Sequence, residues 1–239
     1  MQKNKKKLIL LTKFTLKDFN FINKKLNKYY HFIIPTKYSE EELSKLVTNA
    51  DASIGNNITN NVLKNAHNLK IYQHTGTGID HINIKIFQNK QLIFANTHSN
   101  SKYVAEHAIS LMFTLLKKIN IHDSLIRNGI WFHPNNFKNY YNYLSDTVIE
   151  KNVGVLGYGF IGKHIVKYLR GFNNKFYIYK KSKSKDTKNK RFVSLNHIAR
   201  ISDIIFVCLP LTNLTKDLIN KKTFKIFKNN LILVNVARA

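Results

Sequence analysis

Short apolar runs alternate with stretches of helical periodicity through the first hundred residues of the chain. Runs bounded by polar or turn-forming residues predict strands at Leu8–Leu11, His31–Ile34, Ala52–Gly55, Lys70–His74 and Leu92–Ala95. Apolar residues at helical spacing predict helices at Leu16–Asn27, Ser39–Ala50 and Asn60–Asn68. Ser39 precedes three glutamates, a pattern typical of an N-cap followed by acids in the positive first turn. These βα units predict a mainly parallel sheet in a doubly wound, flavodoxin-like domain.

A second series of elements follows a long helix. The helix is predicted over Ser101–Lys118, where apolar residues recur at spacings of three and four. The next stretch, Asn120–Asp146, is rich in Asn and Tyr, and we expect it to be irregular. Apolar runs then predict strands at Asn152–Leu156, Phe176–Tyr179, Ile204–Leu209 and Leu231–Val236. We therefore expect an α/β protein of two doubly wound parallel-sheet domains. The second, a Rossmann domain, should begin at a boundary near residue 100.

The composition excludes several classes of protein. A chain of 239 residues with 44% hydrophobic content can bury real cores, which excludes a disordered protein. The single cysteine, Cys208, excludes a disulfide framework and a Cys-rich zinc site, and we expect no metal site. After the basic N-terminus the apolar run Leu8–Leu11 is too short for a signal peptide or a membrane span, so we expect a cytoplasmic protein.

The formal net charge of +26 suggests a polyanion partner such as nucleic acid. However, Lys is scattered through every predicted element, together with much Asn and Ile, and does not gather on one helix or in a stripe with aromatic residues. We therefore expect no specific nucleic-acid partner. The densest cluster of cations, over Lys180–Arg191, is the exception.

A glycine-rich turn joins the first strand of the second series to a helix. The strand Val153–Leu156 runs directly into Gly157, Gly159 and Gly162 in a G-x-G-x-x-G pattern, and the helical stretch Lys163–Arg170 follows. In such a turn the first glycine permits the tight bend, the second admits a pyrophosphate to the backbone, and the third lets the helix pack on the strand. The free N–H groups of the helix N-terminus attract phosphate. This context predicts dinucleotide binding.

The end of the next strand bears on the choice of cofactor, because an acidic residue there would accept from the ribose 2′-hydroxyl of NAD. Here the strand Lys175–Tyr179 is followed by three cations and a hydroxyl, Lys180, Lys181, Ser182 and Lys183. These groups would bind a 2′-phosphate through charge-assisted hydrogen bonds, which favours NADP(H) over NAD(H). Asp186, further along the same loop, keeps NAD(H) open as the alternative.

Several segments are similar, in order and spacing, to the D-isomer-specific 2-hydroxyacid dehydrogenases. The stretch Thr75–Ile82 resembles the family's G-x-G-x-D-x-I loop, and Arg127–Trp131 resembles its R-x-G-x-W segment. The other matching segments are Asn96–Thr97, Val104–Ala108, Ser202–Thr212 with Thr215, and Asn235–Arg238. The likeness covers nearly the whole chain.

The resemblance implies a substrate domain over residues 1–100 and an NAD(P)-binding Rossmann domain over residues 101–239. It also implies reversible hydride transfer between the nicotinamide ring and a small 2-oxo or 2-hydroxy acid. Backbone amides at Thr77 and Gly78 would hold the substrate carboxylate. Arg238 would act as the catalytic and substrate-binding arginine, because a guanidinium orients the acid and stabilises negative charge on the reacting oxygen. With the glycine turn and the cations after it, the cofactor-binding positions are Gly157, Gly159, Phe160, Ile161, Gly162, Lys180, Lys181, Ser182, Pro210, Thr215, Val236, Ala237 and Arg238.

In the family the proton donor is a His oriented by a Glu, and both follow the position that matches Arg238. Because the sequence stops at Ala239, we expect a C-terminally truncated chain with an incomplete Rossmann domain. Loss of a positioned general acid typically costs about 10² to 10⁴ in rate, so we expect impaired catalysis. The alternative is a non-catalytic dinucleotide-binding protein or a gene fragment.

The substrate class stays open among acids of the glyoxylate, hydroxypyruvate and phosphoglycerate type, because backbone amides and one arginine recognise any 2-oxo acid. The family usually forms homodimers through its nucleotide-binding domain. The resemblance therefore implies a homodimer to which the helix Ser101–Lys118 and the stretch Asn120–Asp146 contribute.

Overall fold

The computed structural model describes residues 5–80, 82–89, 91–131, 133, 140–180, 186–187 and 189–238. The chain divides into two compact units, Met1–His98 and Ser99–Ala239. Within the described residues no helix is both long enough and apolar enough to cross a membrane.

The first unit is a five-stranded parallel sheet with helices between its strands. Its strands are β1 Lys6–Leu10, β2 Tyr30–Ile33, β3 Ala52–Gly55, β4 Ile71–His74 and β5 Ile93–Ala95, and its helices are α1 Leu16–Leu26, α2 Glu40–Val47, α3 Asn60–Asn65 and α4 Ile84–Asn89. The strands lie in the order β2-β1-β3-β4-β5, and every adjacent pair is parallel. This is the flavodoxin-like order, so the fold expected for the first unit is confirmed.

Local sequence accounts for several features of this unit. Ser39 caps α2 by accepting a hydrogen bond from the amide of Glu42, as the sequence predicts. The core lies between sheet and helices and includes Ile9 of β1, Val47 of α2 and Val62 of α3, none of which has any exposed area. Tyr72 of β4 is equally buried.

The second unit begins with a helical pair and continues as a second five-stranded parallel sheet. Its helices are α5 Ser101–Leu116, α6 Ile119–Arg127, α7 Phe160–Leu169, α8 Leu195–Ile201 and α9 Lys221–Phe224, and its strands are β6 Asn152–Leu156, β7 Lys175–Tyr179, β8 Lys190–Phe192, β9 Ile204–Val207 and β10 Ile232–Asn235. The order is β10-β9-β6-β7-β8, all parallel. Counted from the first strand of the unit, this is the Rossmann order 3-2-1-4-5, which confirms the fold class.

One expectation for this unit is wrong. The stretch Asn120–Asp146 is not irregular throughout, because α6 covers Ile119–Arg127 and a short 3₁₀ turn covers Tyr140–Tyr143. Lys118, between the two helices, has φ +50°, a left-handed conformation that interrupts the α-helical backbone between α5 and α6. The sequence reasoning also passed over the short strand β8 and the helices α4, α8 and α9.

Candidate functional site

The glycine turn between β6 and α7 is shaped by close backbone contacts. Gly157 has φ +99°, and a Cβ there would lie 2.8 Å from the carbonyl oxygen of Cys208. A Cβ at Gly162 would lie 2.2 Å from the carbonyl oxygen of Gly157. At Gly159, by contrast, a Cβ would meet no atom of the described residues within 4 Å. Packing within the protein therefore requires two of the three glycines, whereas Gly159 leaves the backbone open to another molecule.

Helix α7 starts at this open position. Gly159 is its N-cap and offers no side chain to cap the helix, and the first turn of α7 holds no acidic residue. The first turn is formed, since the amide of Lys163 donates to the carbonyl of Gly159 at 3.0 Å. The turn follows β6, which has β9 on one side and β7 on the other. The carboxyl end of β6 is therefore the topological switch point of the sheet. A helix N-terminus at a switch point fits a phosphate group.

The carboxyl end of β7 contacts this turn directly. The amide of Gly157 donates to the carbonyl of Tyr179 at 3.0 Å, and the exposed Lys180 follows. Asp186 is engaged elsewhere, because its carboxylate accepts from the amide of Phe192 at 2.8 Å and so holds the end of β8. The predicted cofactor residues Lys181 and Ser182 lie outside the described residues.

The structure adds one cation that the sequence reasoning did not single out. The ammonium of Lys190 lies 5.3 Å from the centre of the Tyr158 ring, and Tyr158 is the residue between the first two glycines of the turn. The ring of Phe192 meets that of Tyr158 edge-on at 5.7 Å. Lys190 belongs to the dense cluster of cations over Lys180–Arg191, and this cluster is the sequence feature that could have indicated it.

A cavity of about 190 Å³ lies at the carboxyl ends of β9 and β10. Four of the predicted cofactor residues line it together, Pro210, Thr215, Ala237 and Arg238. Val236 is not among the lining residues, and its side chain packs against the core of the unit. The hydroxyl of Thr215 donates to the carbonyl of Pro210 at 2.5 Å and accepts from the amide of Thr212 at 2.9 Å, so it fixes the shape of the loop.

In the first unit the predicted carboxylate-binding loop follows β4. Thr77 is anchored twice, because its hydroxyl donates to the carbonyl of Thr97 at 2.8 Å and its carbonyl accepts from the side chain of Asn96 at 2.9 Å. The carbonyl of Gly78 contacts Nε2 of His74 at 3.1 Å. The sequence reasoning missed His74, although it stands directly before the loop. For the segment Asn96–Thr97 the sequence offers only its resemblance to the family.

Comparison with known proteins identifies the fold and its family. The family profile for the NAD-binding domain of the D-isomer-specific 2-hydroxyacid dehydrogenases matches residues 109–239, more than half of the chain. The chain belongs to this family. Glyoxylate reductase of Pyrococcus horikoshii is 29% identical over 211 residues, which cover 83% of this chain and 61% of the reductase. D-3-phosphoglycerate dehydrogenase of Methanocaldococcus jannaschii is 28% identical over 213 residues, covering 86% of this chain and 39% of the dehydrogenase.

A solved structure shares the fold of this chain. A crystal structure of another Pyrococcus horikoshii protein superposes with a TM-score of 0.80 at 28% identity, and the match covers 97% of this chain and 70% of that one. Residues 109–239, which match the NAD-binding domain of the family, include the glycine turn and the cavity lined by Arg238. The chain spans less than two thirds of the length of each of the two enzymes named above.

Proposed function

We propose that this chain is an oxidoreductase of its family, binding NAD(P)(H) at the turn Gly157–Gly162 and reacting it with a small 2-oxo or 2-hydroxy acid. The observation that carries the proposal is the open backbone at Gly159, flanked by two glycines that the protein's own packing requires. No side chain caps α7 at this point, so the helix N-terminus and the open backbone together fit a pyrophosphate.

The pyrophosphate and the nicotinamide end of the dinucleotide would bind at two different places in the second unit. The turn and the first residues of α7, including Phe160 and Ile161, would hold the pyrophosphate. The cavity lined by Pro210, Ala237 and Arg238 would hold the nicotinamide end. A bound nicotinamide dinucleotide supplies or accepts a hydride. The contribution of the chain is to orient the acid and to stabilise charge, since the Arg238 guanidinium offers paired donors to a carboxylate and its neighbouring oxygen.

Backbone amides of Thr77 and Gly78 would bind the acid group of the substrate from the first unit, so we assign a substrate role to residues 1–100 and a dinucleotide role to residues 101–239. Two hydrogen bonds from the segment Asn96–Thr97 to this loop support the assignment, because they hold the loop in place before any substrate binds. The names of the relatives are compatible with acids of the glyoxylate or phosphoglycerate type.

We further propose a preference for NADP(H). The exposed Lys180 follows the strand that contacts the glycine turn, and Lys181 and Ser182 come next in the sequence. The nearest described carboxylate along this loop, that of Asp186, already accepts a hydrogen bond from Phe192. Cations at this place would stabilise the 2′-phosphate of NADP(H), whereas the ribose hydroxyl of NAD(H) gains less from them.

A homodimer formed in the cytoplasm is the assembly we propose. Large apolar side chains of the helical pair α5 and α6 are exposed, with Leu115 52%, Ile119 50% and Ile126 59% accessible to solvent. Exposed large apolar side chains on neighbouring helices are a feature of protein interfaces, and a second copy of the same helical pair would cover them. The single cysteine in the sequence agrees with a reducing compartment.

Titration of the purified chain with NADPH and with NADH, followed by nicotinamide fluorescence, tests the cofactor proposal. Lys180→Asp should weaken NADPH binding by about ten- to a hundredfold, the effect of one charge-assisted hydrogen bond, and should change NADH binding little. Lys225→Asp makes the same change in net charge on an exposed residue next to α9 and should leave both affinities unaltered. Failure of the wild-type chain to bind either cofactor would overturn the proposed function.

A further inference from the structure

His74 lies buried beneath the loop that follows β4, with only 3% of its surface exposed. Its imidazole packs directly against Gly76, where an added Cβ would come within 2.9 Å of Nε2. On the other side of the ring, Nδ1 lies 2.8 Å from the hydroxyl of Tyr72, which itself contacts the carbonyl of Gly55 at 2.9 Å. The imidazole is thus fixed in place by a fully buried tyrosine and by the loop above it.

The contact between His74 and Gly78 has a defined direction. A carbonyl oxygen only accepts hydrogen bonds, so Nε2 must carry a hydrogen and donate it to Gly78 at 3.1 Å. In the neutral ring Nδ1 is then an acceptor, and the hydroxyl of Tyr72 donates to it. If that hydroxyl donates to Gly55 instead, Nδ1 must carry a hydrogen, and the donor to Gly78 is kept only when the ring is doubly protonated.

Three consecutive peptide groups of the loop are held by their carbonyl oxygens. The carbonyl of Gly76 accepts from the amide of Thr97 at 3.4 Å, and the carbonyl of Thr77 accepts from Asn96 at 2.9 Å. The carbonyl of Gly78 accepts from His74. Because a peptide group is planar and trans, a carbonyl fixed on one side fixes the N–H of the next residue on the other. These contacts therefore set the directions of three successive N–H groups, starting at Thr77.

We propose that Asn96 and His74 are positioning residues: Asn96 aims the amide of Gly78 at the carboxylate of the substrate, and His74 anchors the peptide group that follows it. The proposal rests on the proposed function, in which Thr77 and Gly78 bind the acid. Asn96 orients the N–H of Gly78 by holding the carbonyl of Thr77, and His74 fixes the next peptide group by holding the carbonyl of Gly78. Amides fixed before binding cost no reorganisation when the anion arrives, so loosening either contact weakens anion binding.

Paired substitutions at His74 separate positioning from packing. In His74→Gln the side-chain amide nitrogen can take the place of Nε2 and keep the donor to Gly78, whereas His74→Asn can replace only Nδ1 and loses that donor. The full-length chain is titrated with oxalate as the probe. His74→Asn and Asn96→Ala should each weaken oxalate binding by about ten- to a hundredfold, and His74→Gln should stay within a few-fold of the wild type. Thermal unfolding of each variant measures the packing loss separately.

Amide hydrogen exchange without ligand gives an independent reading. Exchange at Thr77, Gly78 and the next residue should be faster in His74→Asn and close to the wild-type rate in His74→Gln. Equal exchange in the two variants, or equal oxalate affinity, would overturn the positioning role. If exchange differs as expected but the wild-type chain does not bind oxalate, the hold on the loop stands and the carboxylate site of the proposed function falls. Should His74→Asn fail to fold, Asn96→Ala carries both measurements.

Discussion

Gly162 lies so close to Gly157 that a Cβ on Gly162 would come within 2.2 Å of the Gly157 carbonyl oxygen. This contact joins the first turn of α7 to the end of β6, and therefore links the glycine turn to the packing of the second unit. The third glycine of the motif thus has a structural role that can be separated by experiment from that of Gly159.

Gly162→Ala should destabilise the chain and weaken dinucleotide binding together, because helix and turn must move apart to admit the methyl group. Overpacking of this kind typically costs about 1–3 kcal/mol of unfolding free energy. Urea denaturation of the variant measures the loss. Gly171→Ala is the matched control, since a Cβ there would meet no described atom within 4 Å. An unchanged denaturation midpoint for Gly162→Ala would contradict the close packing of the turn.

The thiol of Cys208 should be unreactive in the folded chain. Burial raises its pKa to about 12, so at pH 8 almost no thiolate is present to attack a reagent. Because Cys208 is the single cysteine in the sequence, Ellman's reagent reports on it alone. We expect no colour in native buffer. In about 8 M urea, which unfolds small proteins, we expect one equivalent of thiol per chain. Prompt reaction of the native chain would contradict the burial of this thiol, which directly follows β9.

Asp146 should contribute a small stabilisation that depends on pH. Its carboxylate contacts the ammonium of Lys151 at 2.8 Å, and this hydrogen bond, opposed by some desolvation, holds the pKa of Asp146 below its usual value. A lowered pKa gives a stabilisation that is present above the unfolded-state pKa and is lost as the pH falls through the folded-state pKa. Since both side chains are partly exposed, it should amount to about 0.2–1 kcal/mol.

Comparison of the wild type with Asp146→Asn at several pH values measures this contribution. The difference in unfolding free energy should be present at neutral pH, shrink as the solution is acidified and fall in high salt. A difference that grows toward acid pH would contradict the assignment of the ion pair.

The helical pair α5 and α6 gives a test of assembly. Ile126→Asp places a charge in the exposed apolar surface and should convert the proposed dimer to a monomer in sedimentation measurements. Phe21→Asp, on α1 of the first unit, alters a residue that is 65% exposed and should leave the assembly unchanged. Identical sedimentation of the wild type and Ile126→Asp would contradict an interface at this surface.

Features set by neighbouring residues could be predicted from the sequence. The cap at Ser39 depends on contacts within a few residues, and the glycine turn has a recognisable local sequence pattern; both appear in the structure where the pattern predicts them. The strand β8 was missed because Lys190–Phe192 has only three residues, two of them cationic, and therefore shows no apolar run. It becomes a strand by pairing with β7.

Other features depend on contacts between distant parts of the chain. Helix α6 was overlooked because its apolar residues lie in a stretch rich in Asn and Tyr and none of its side chains is buried. The contacts of His74 could not be anticipated, since they involve Gly78 on one side and Tyr72, itself bonded to Gly55, on the other. For the same reason the sequence could not tell that Val236 packs into the core while Ala237 and Arg238 line a cavity.

The most direct test of the account is NADPH binding by Gly159→Ala. The backbone at Gly159 has φ −82°, which any residue adopts, and a Cβ there meets no described atom within 4 Å, so the variant should fold with wild-type stability. The new methyl group would occupy the approach to the proposed phosphate site at the glycine turn. We therefore expect NADPH affinity to fall at least about tenfold, or 1.4 kcal/mol, while Gly171→Ala binds as the wild type does. Undiminished NADPH binding by a folded Gly159→Ala would contradict the central claim that the dinucleotide binds at this turn.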